Sequence, residues 1–181
     1  SKVSIVPRGL AALGYTLNKP EEDKFMMQRH EMWAEVDVLL GGRAAEQVFI
    51  GEVSTGAGND LERATDIIKS MVQTYGMTDV AGLMVLEKSR QSFIGGQQQA
   101  TREYSDKMAE GMDEFIKSSL SEHYDAVVAR LEEYRDAIED MVKLLYKKEN
   151  ITGEEVKEII INFEKENNIE SKVSASTDDI A

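Results

Sequence analysis

Two helical patterns separated by a run of small residues constrain this chain more than any other feature. From about Lys24, residues Phe25, Met26, His30, Trp33, Val36, Asp37, Leu40 and Ala44 recur at spacings of three and four, and Val38, Leu39 and Val48 broaden the stripe. That spacing is one face of a helix, and so wide an apolar arc predicts burial on more than one side. Gly41 and Gly42 lie inside it, each costing about 1 kcal/mol against alanine in a helix interior. The cost predicts a second backbone close by. Ser54-Thr55-Gly56-Ala57-Gly58 then breaks the pattern. A second helix is predicted after it, opened by Asn59 and Glu62 as a capping pair and ended by Gly76. Its expected buried face is Leu61, Ala64, Ile67, Ile68, Met71 and Val72.

This arrangement fixes two carboxylates. Glu46 falls late in the first helix and Asp60 in the first turn of the second. A helix N-terminus stabilises an ionised carboxylate, so Asp60 suits a metal ligand and equally suits a helix-start acid with no metal role.

The rest of the chain is mainly helical. Residues 1–19 carry Val3, Ile5, Val6, Leu10, Leu13, Tyr15 and Leu17 between Pro7, Gly9 and Gly14, which predicts one or two short strands. Leu83-Met84-Val85-Leu86 predicts another strand, and residues 88–104, with Gly95-Gly96 and Gln97-Gln98-Gln99, a mobile segment. A helical pattern runs from Ser105 to about Lys148, long enough to predict a break near Tyr134 to Asp136. Thr152-Gly153-Glu154-Glu155 is a capping box that opens a last helix with Val156, Ile159, Ile160 and Phe163. The polar residues 169–181 predict a disordered tail. The expected fold is mainly α, with a small strand-containing N-terminal part on a helical array.

Composition narrows the function. A length of 181 residues with 41% hydrophobic and 30% charged content fits a helix-rich globular chain. A net charge of −13 with no basic stripe argues against nucleic acid and against an anionic membrane surface. With no cysteine there is no disulfide and no thiolate metal site. No apolar run reaches the roughly 20 residues of a membrane span, which predicts a soluble chain.

Other motifs are weaker. His30 and His123 have no second histidine or carboxylate at a metal-ligand spacing on their own helices, so both are assigned structural roles. His30-Glu31-Met32-Trp33-Ala34 begins like a zinc helix but has Ala34 where the second imidazole must stand. Gly56-Ala57-Gly58 lacks the lysine of a phosphate loop. Glu154-Glu155, and Glu132-Glu133 beside Arg135, read as solvated helix faces.

Taken together, Val3-Ser4-Ile5-Val6-Pro7-Arg8-Gly9, Leu13-Gly14-Tyr15-Thr16-Leu17, Gly41-Gly42-Arg43-Ala44-Ala45-Glu46, Ser54-Thr55-Gly56-Ala57-Gly58-Asn59-Asp60 and Tyr75-Gly76-Met77 resemble the peptidase domain of the FtsH family, membrane-anchored ATP-dependent zinc metalloproteases. The resemblance covers residues 1–168 as the C-terminal part of that domain. It implies that Asp60 is the third zinc ligand and that Glu46 orients a ligating imidazole, the alternative for Glu46 being an exposed or capping acid. It also implies that Leu13, Gly14, Tyr15 and Thr16 form the edge strand that receives extended substrate, the alternative being an ordinary buried strand.

The family's His-Glu-x-x-His helix is expected upstream of Ser1, so the chain is expected to be inactive alone, without its first two zinc ligands and general base. The parent is expected to use ATP in a separate module and to form a homo-hexamer. It is further expected to be held by N-terminal helices at the cytoplasmic face of the bacterial inner membrane and to degrade unfolded and membrane proteins. The competing expectation is a non-enzymatic helical scaffold or oligomerisation module, a degenerate relative of the same peptidase.

Overall fold

A computed structural model describes residues 2–6, 15–17, 26–86 and 104–169. In chain order the elements are β1 (Lys2–Ser4), β2 (Tyr15–Leu17), α1 (Arg29–Ala45), α2 (Gly58–Gln73), α3 (Asp106–Glu133), α4 (Arg135–Lys148), β3 (Asn150–Thr152) and α5 (Gly153–Glu166). Five helices and one small antiparallel sheet make the fold mainly α, as expected. The chain divides into two compact units, residues 26–130 and residues 1–25 with 131–181.

The larger unit is built on α1 and α2. Helix α1 starts at Arg29 rather than near Lys24, because the Glu31 carboxylate accepts from the Gln28 backbone N–H at 2.7 Å and closes the first turn there. Its buried side chains are Met32, Val36, Leu39, Leu40 and Ala44. Burial on more than one side does not hold throughout, since Val38 is 65% exposed. Nor does another backbone among the described residues approach the two glycines: a Cβ at Gly41 or Gly42 would meet nothing within 4 Å, which gives no packing reason for either.

Val36, Leu39 and Leu40 of α1 meet Ala64 and Ile68 of α2 and Ile116 of α3 in one core cluster, with Trp33, Leu61, Ile67, Phe115, Leu120 and Tyr124 packed around it. A second cluster joins Val72 and Met112 to Ala81 and Leu86. The expected strand at Leu83–Leu86 does not form. Leu83, Met84 and Val85 are exposed, and only Leu86 is buried, its N–H donating to the Gln73 carbonyl at 2.8 Å. Among the described residues, this apolar run of four has one anchored residue and no neighbouring strand to complete a ladder. Helix α2 does end before Gly76, which adopts φ +59°; a Cβ there would stand 3.0 Å from the Gly82 carbonyl oxygen.

In the other unit β1 is the central strand. It pairs antiparallel with β2 (Val3 opposite Thr16) and with β3 (Val3 opposite Ile151). The break expected near Tyr134 falls at that residue, between α3 and α4. The capping box at Thr152 also forms: the Thr152 N–H donates to Glu155 at 2.8 Å, and the Glu155 N–H donates to the Thr152 hydroxyl at 3.2 Å. Residues 87–103 and 170–181, which include the segment expected to be mobile and the expected tail, lie outside the described residues.

Candidate metal centre

The first helix does not simply stop at Ala45. A five-residue π-helical turn, Glu46–Ile50, carries the chain on to Gly51, whose φ of 81° turns it back. The wider turn places Glu46 over the returning loop. Both of its carboxylate oxygens are engaged there. Oε2 accepts the Ser54 backbone N–H at 2.8 Å, and Oε1 accepts the Ser54 hydroxyl at 2.5 Å. Arg43, one turn earlier in α1, donates from Nη1 to the Ser54 carbonyl at 3.1 Å. Ser54 is thereby held through its N–H, its C=O and its side chain.

From Ser54 the route to Asp60 is short. The Ser54 Oγ accepts the Gly56 N–H at 3.1 Å and caps a single 3₁₀ turn, Thr55–Ala57, which runs directly into α2 at Gly58. Asn59 is therefore not the cap that the sequence suggested; it lies inside α2 and is exposed. Ser54 does the capping one turn earlier. Gly56 leaves the room this needs: a Cβ there would lie 3.2 Å from the Ser54 Oγ and 3.7 Å from the Glu46 Oε1.

Asp60 sits in the first turn of α2, as predicted, and is partly buried. Its carboxylate has no hydrogen-bond or ion-pair partner among the described residues. Arg63, one turn on, is drawn to Glu35 instead, at 3.4 Å. A partly buried carboxylate at the positive end of a helix, with its lone pairs uncommitted, fits the donor chemistry of a zinc ligand. No group of three His, Cys, Asp or Glu side chains that could hold a metal converges among the described residues.

The Glu46 carboxyl is held below the usual glutamate range, first by the Ser54 hydroxyl, then by the Ser54 N–H, with a smaller contribution from the Arg43 charge. The sequence offers Glu46 as an imidazole-orienting acid or as an exposed or capping one. In the structure this acid staples the Gly51–Ala57 loop to the end of α1 through Ser54. Sequence reasoning does not single out Ser54 or Arg43; the available signal was a serine two residues before a glycine turn, a side-chain turn motif.

His123 is fully accounted for. Its ring stacks on Trp33, with centroids 4.4 Å apart and planes 9° from parallel, and its Nδ1 lies 2.5 Å from Asp37 Oδ1. His30 is exposed in the first turn of α1. Of the expected substrate strand, Tyr15 and Thr16 lie in β2, which has β1 on one side only among the described residues, whereas Leu13 and Gly14 lie outside them. No helix among the described residues is long and apolar enough to cross a membrane.

Comparison with known proteins gives this geometry a family. The pattern of Peptidase family M41 matches residues 1–159. The ATP-dependent zinc metalloprotease FtsH of Helicobacter pylori strain J99 is 64% identical over 173 residues, covering 96% of this chain and 27% of the relative. The protein of the same name from Sulfurovum sp. NBC37-1 is 58% identical over 96% of the chain and 26% of its own length, and that from Thermotoga maritima 41% identical over 91% and 27%. The chain thus spans 26–27% of the length of these relatives. A family match running from Ser1 to Ile159, together with identities of this order, establishes that the chain belongs to peptidase family M41, as a stretch of an FtsH peptidase domain.

Proposed function

We propose that this chain is part of an ATP-dependent zinc metalloendopeptidase that hydrolyses peptide bonds of unfolded and membrane proteins, with Asp60 as the carboxylate ligand of its zinc. The observation that carries the reading is the Asp60 carboxylate in the first turn of α2, partly buried and without a partner among the described residues, in a family whose members named above are zinc metalloproteases. Bound zinc supplies Lewis-acid polarisation of the scissile carbonyl and a nucleophile at neutral pH.

The residues of this chain position and bind. Asp60 holds an anionic oxygen at a helix end that favours the charge. Glu46 keeps a lone pair on each oxygen beyond those used by Ser54, which leaves it able to accept an imidazole N–H from a ligating histidine. Among the described residues strand β2 has one edge without a partner strand, and main-chain pairing of an extended peptide there would be indifferent to sequence, as a protease of many substrates requires. The two histidines of this chain, His30 and His123, do not form an i, i+4 pair. The other two ligands and the general base are therefore assigned to a His-Glu-x-x-His helix elsewhere in the polypeptide, and the chain alone is inactive. The whole protein is a homo-hexamer anchored at the cytoplasmic face of the inner membrane, its ATPase module feeding substrate to the peptidase.

Degradation of an unfolded protein by the full-length polypeptide tests this. Asp60→Ala is expected to abolish degradation while ATP hydrolysis continues. Degradation at the wild-type rate by the variant would overturn the reading.

A further inference from the structure

We infer that Ser54 is the positioning residue for Asp60: its hydroxyl, bridging the Glu46 carboxylate and the Gly56 N–H, sets the register of the 3₁₀ turn from which α2 springs. The inference rests on the reading of Asp60 as a zinc ligand and adds a residue that neither the family match nor the relatives' names assign.

The loop containing Ser54 is exposed from Gly51 to Gly56. Packing therefore does little to fix it, and its hydrogen bonds must. Four converge on this one residue. The Ser54 N–H and Oγ both donate to Glu46, its carbonyl accepts from Arg43, and its Oγ accepts from Gly56. The two donors to Glu46 meet an ionised acceptor, which makes them stronger than neutral bonds. The far end of the turn is equally determined. The Gly58 N–H donates to the Thr55 carbonyl, Ala57 is buried, and the helix axis is then locked by Ala64 and Ile68 in the core.

Between Ser54 and Asp60 stand only Thr55 to Asn59. An error at Ser54 therefore reaches Asp60 within two turns of chain, whereas an error in Gly51 to Val53 is absorbed before Ser54. Gly56 shows how closely the turn is drawn onto the bridge, since a Cβ there would press on the Ser54 Oγ at 3.2 Å. The hydroxyl is the part that acts on the turn: removing it leaves the backbone bonds to Glu46 and Arg43 but frees the Gly56 N–H.

Zinc affinity of the full-length protein, measured by chelator competition, tests this with Ser54→Ala, Ser54→Thr and Asp60→Asn. Loss of a residue that orients a metal ligand typically weakens metal binding about tenfold or more. Ser54→Ala is expected to weaken zinc about tenfold, and Ser54→Thr, which restores the hydroxyl, to stay within about twofold of wild type. The melting midpoint of the zinc-free protein is expected to move by no more than the few degrees that loss of one exposed cap costs.

Asp60→Asn separates the two claims. If it leaves zinc affinity unchanged, the ligand reading fails and the inference with it. If it weakens zinc but Ser54→Ala does not, the ligand reading stands and the inference is overturned. A Ser54→Thr protein as weak as Ser54→Ala overturns it too, as does a Ser54→Ala protein whose zinc-free melting midpoint collapses.

Discussion

Glu46 and Ser54 lock the end of one helix to the start of the next, with both carboxylate oxygens of Glu46 taken by the N–H and hydroxyl of Ser54. The pair explains how an exposed loop of small residues holds a fixed path into α2. It also gives the loop an acid-sensitive fastening.

Because the Glu46 carboxyl titrates below its ordinary value, chiefly through the Ser54 hydroxyl, the fastening is complete above the unfolded-state pKa of a glutamate. It is lost as pH falls through the lower folded-state value. Carboxyl NMR titration is expected to show Glu46 protonating below the ordinary glutamate range, with amide exchange at Gly56 accelerating over the same interval. In Ser54→Ala the midpoint moves up toward the ordinary value. An unshifted Glu46 in the wild type contradicts the bridge.

His123 is a structural residue. It is stacked on Trp33 and bonded to Asp37, so His123→Ala removes a ring contact and a hydrogen bond between α1 and α3. Urea unfolding is expected to show a loss of about 1–2 kcal/mol, with zinc occupancy of the full-length protein unchanged. Loss of zinc on this substitution would return His123 to the candidate ligands.

In the sheet-containing unit, the Tyr134 hydroxyl donates to the buried Glu164 carboxylate at 2.9 Å, and its ring packs on Phe163. Tyr134→Phe keeps the ring and deletes the donor. An intramolecular hydrogen bond is worth about 0.5–1.5 kcal/mol net, and a loss in that range is expected by denaturant unfolding. A neutral result would show that Glu164 is held without Tyr134.

Gly76→Ala is expected to destabilise the larger unit by more than about 1 kcal/mol. It asks alanine to adopt φ +59° with its Cβ 3.0 Å from a carbonyl oxygen. Gly42→Ala, where a Cβ meets nothing within 4 Å in a helical setting, is expected to be neutral or stabilising by up to about 1 kcal/mol. The reverse order in thermal melts would contradict the described turn.

Much of this was readable from residue spacing, because helices announce themselves locally. The α2 face of Ala64, Ile68, Met71 and Val72, the break at Tyr134 and the Thr152–Glu155 box each depend on residues within two turns of one another. What spacing hid was non-local. Strand β3 is three residues long, too short for any period to show, and exists because Val3 pairs with Ile151 from the other end of the chain. Asp60 was placed by its position in a helix, but the Glu46–Ser54 bridge spans eight residues through a π-helical turn that no apolar pattern encodes. For the same reason Asn59, the better capping residue by type, was expected to do what Ser54 does.

The central claim is that Asp60 holds zinc. Metal content of the purified full-length protein, with and without Asp60→Ala, tests it most directly. The account predicts one zinc per chain in the wild type and loss or marked weakening in the variant, with the helical content of both alike. Zinc retained at one per chain with unchanged affinity in Asp60→Ala would contradict it and leave Asp60 as a helix-start acid alone.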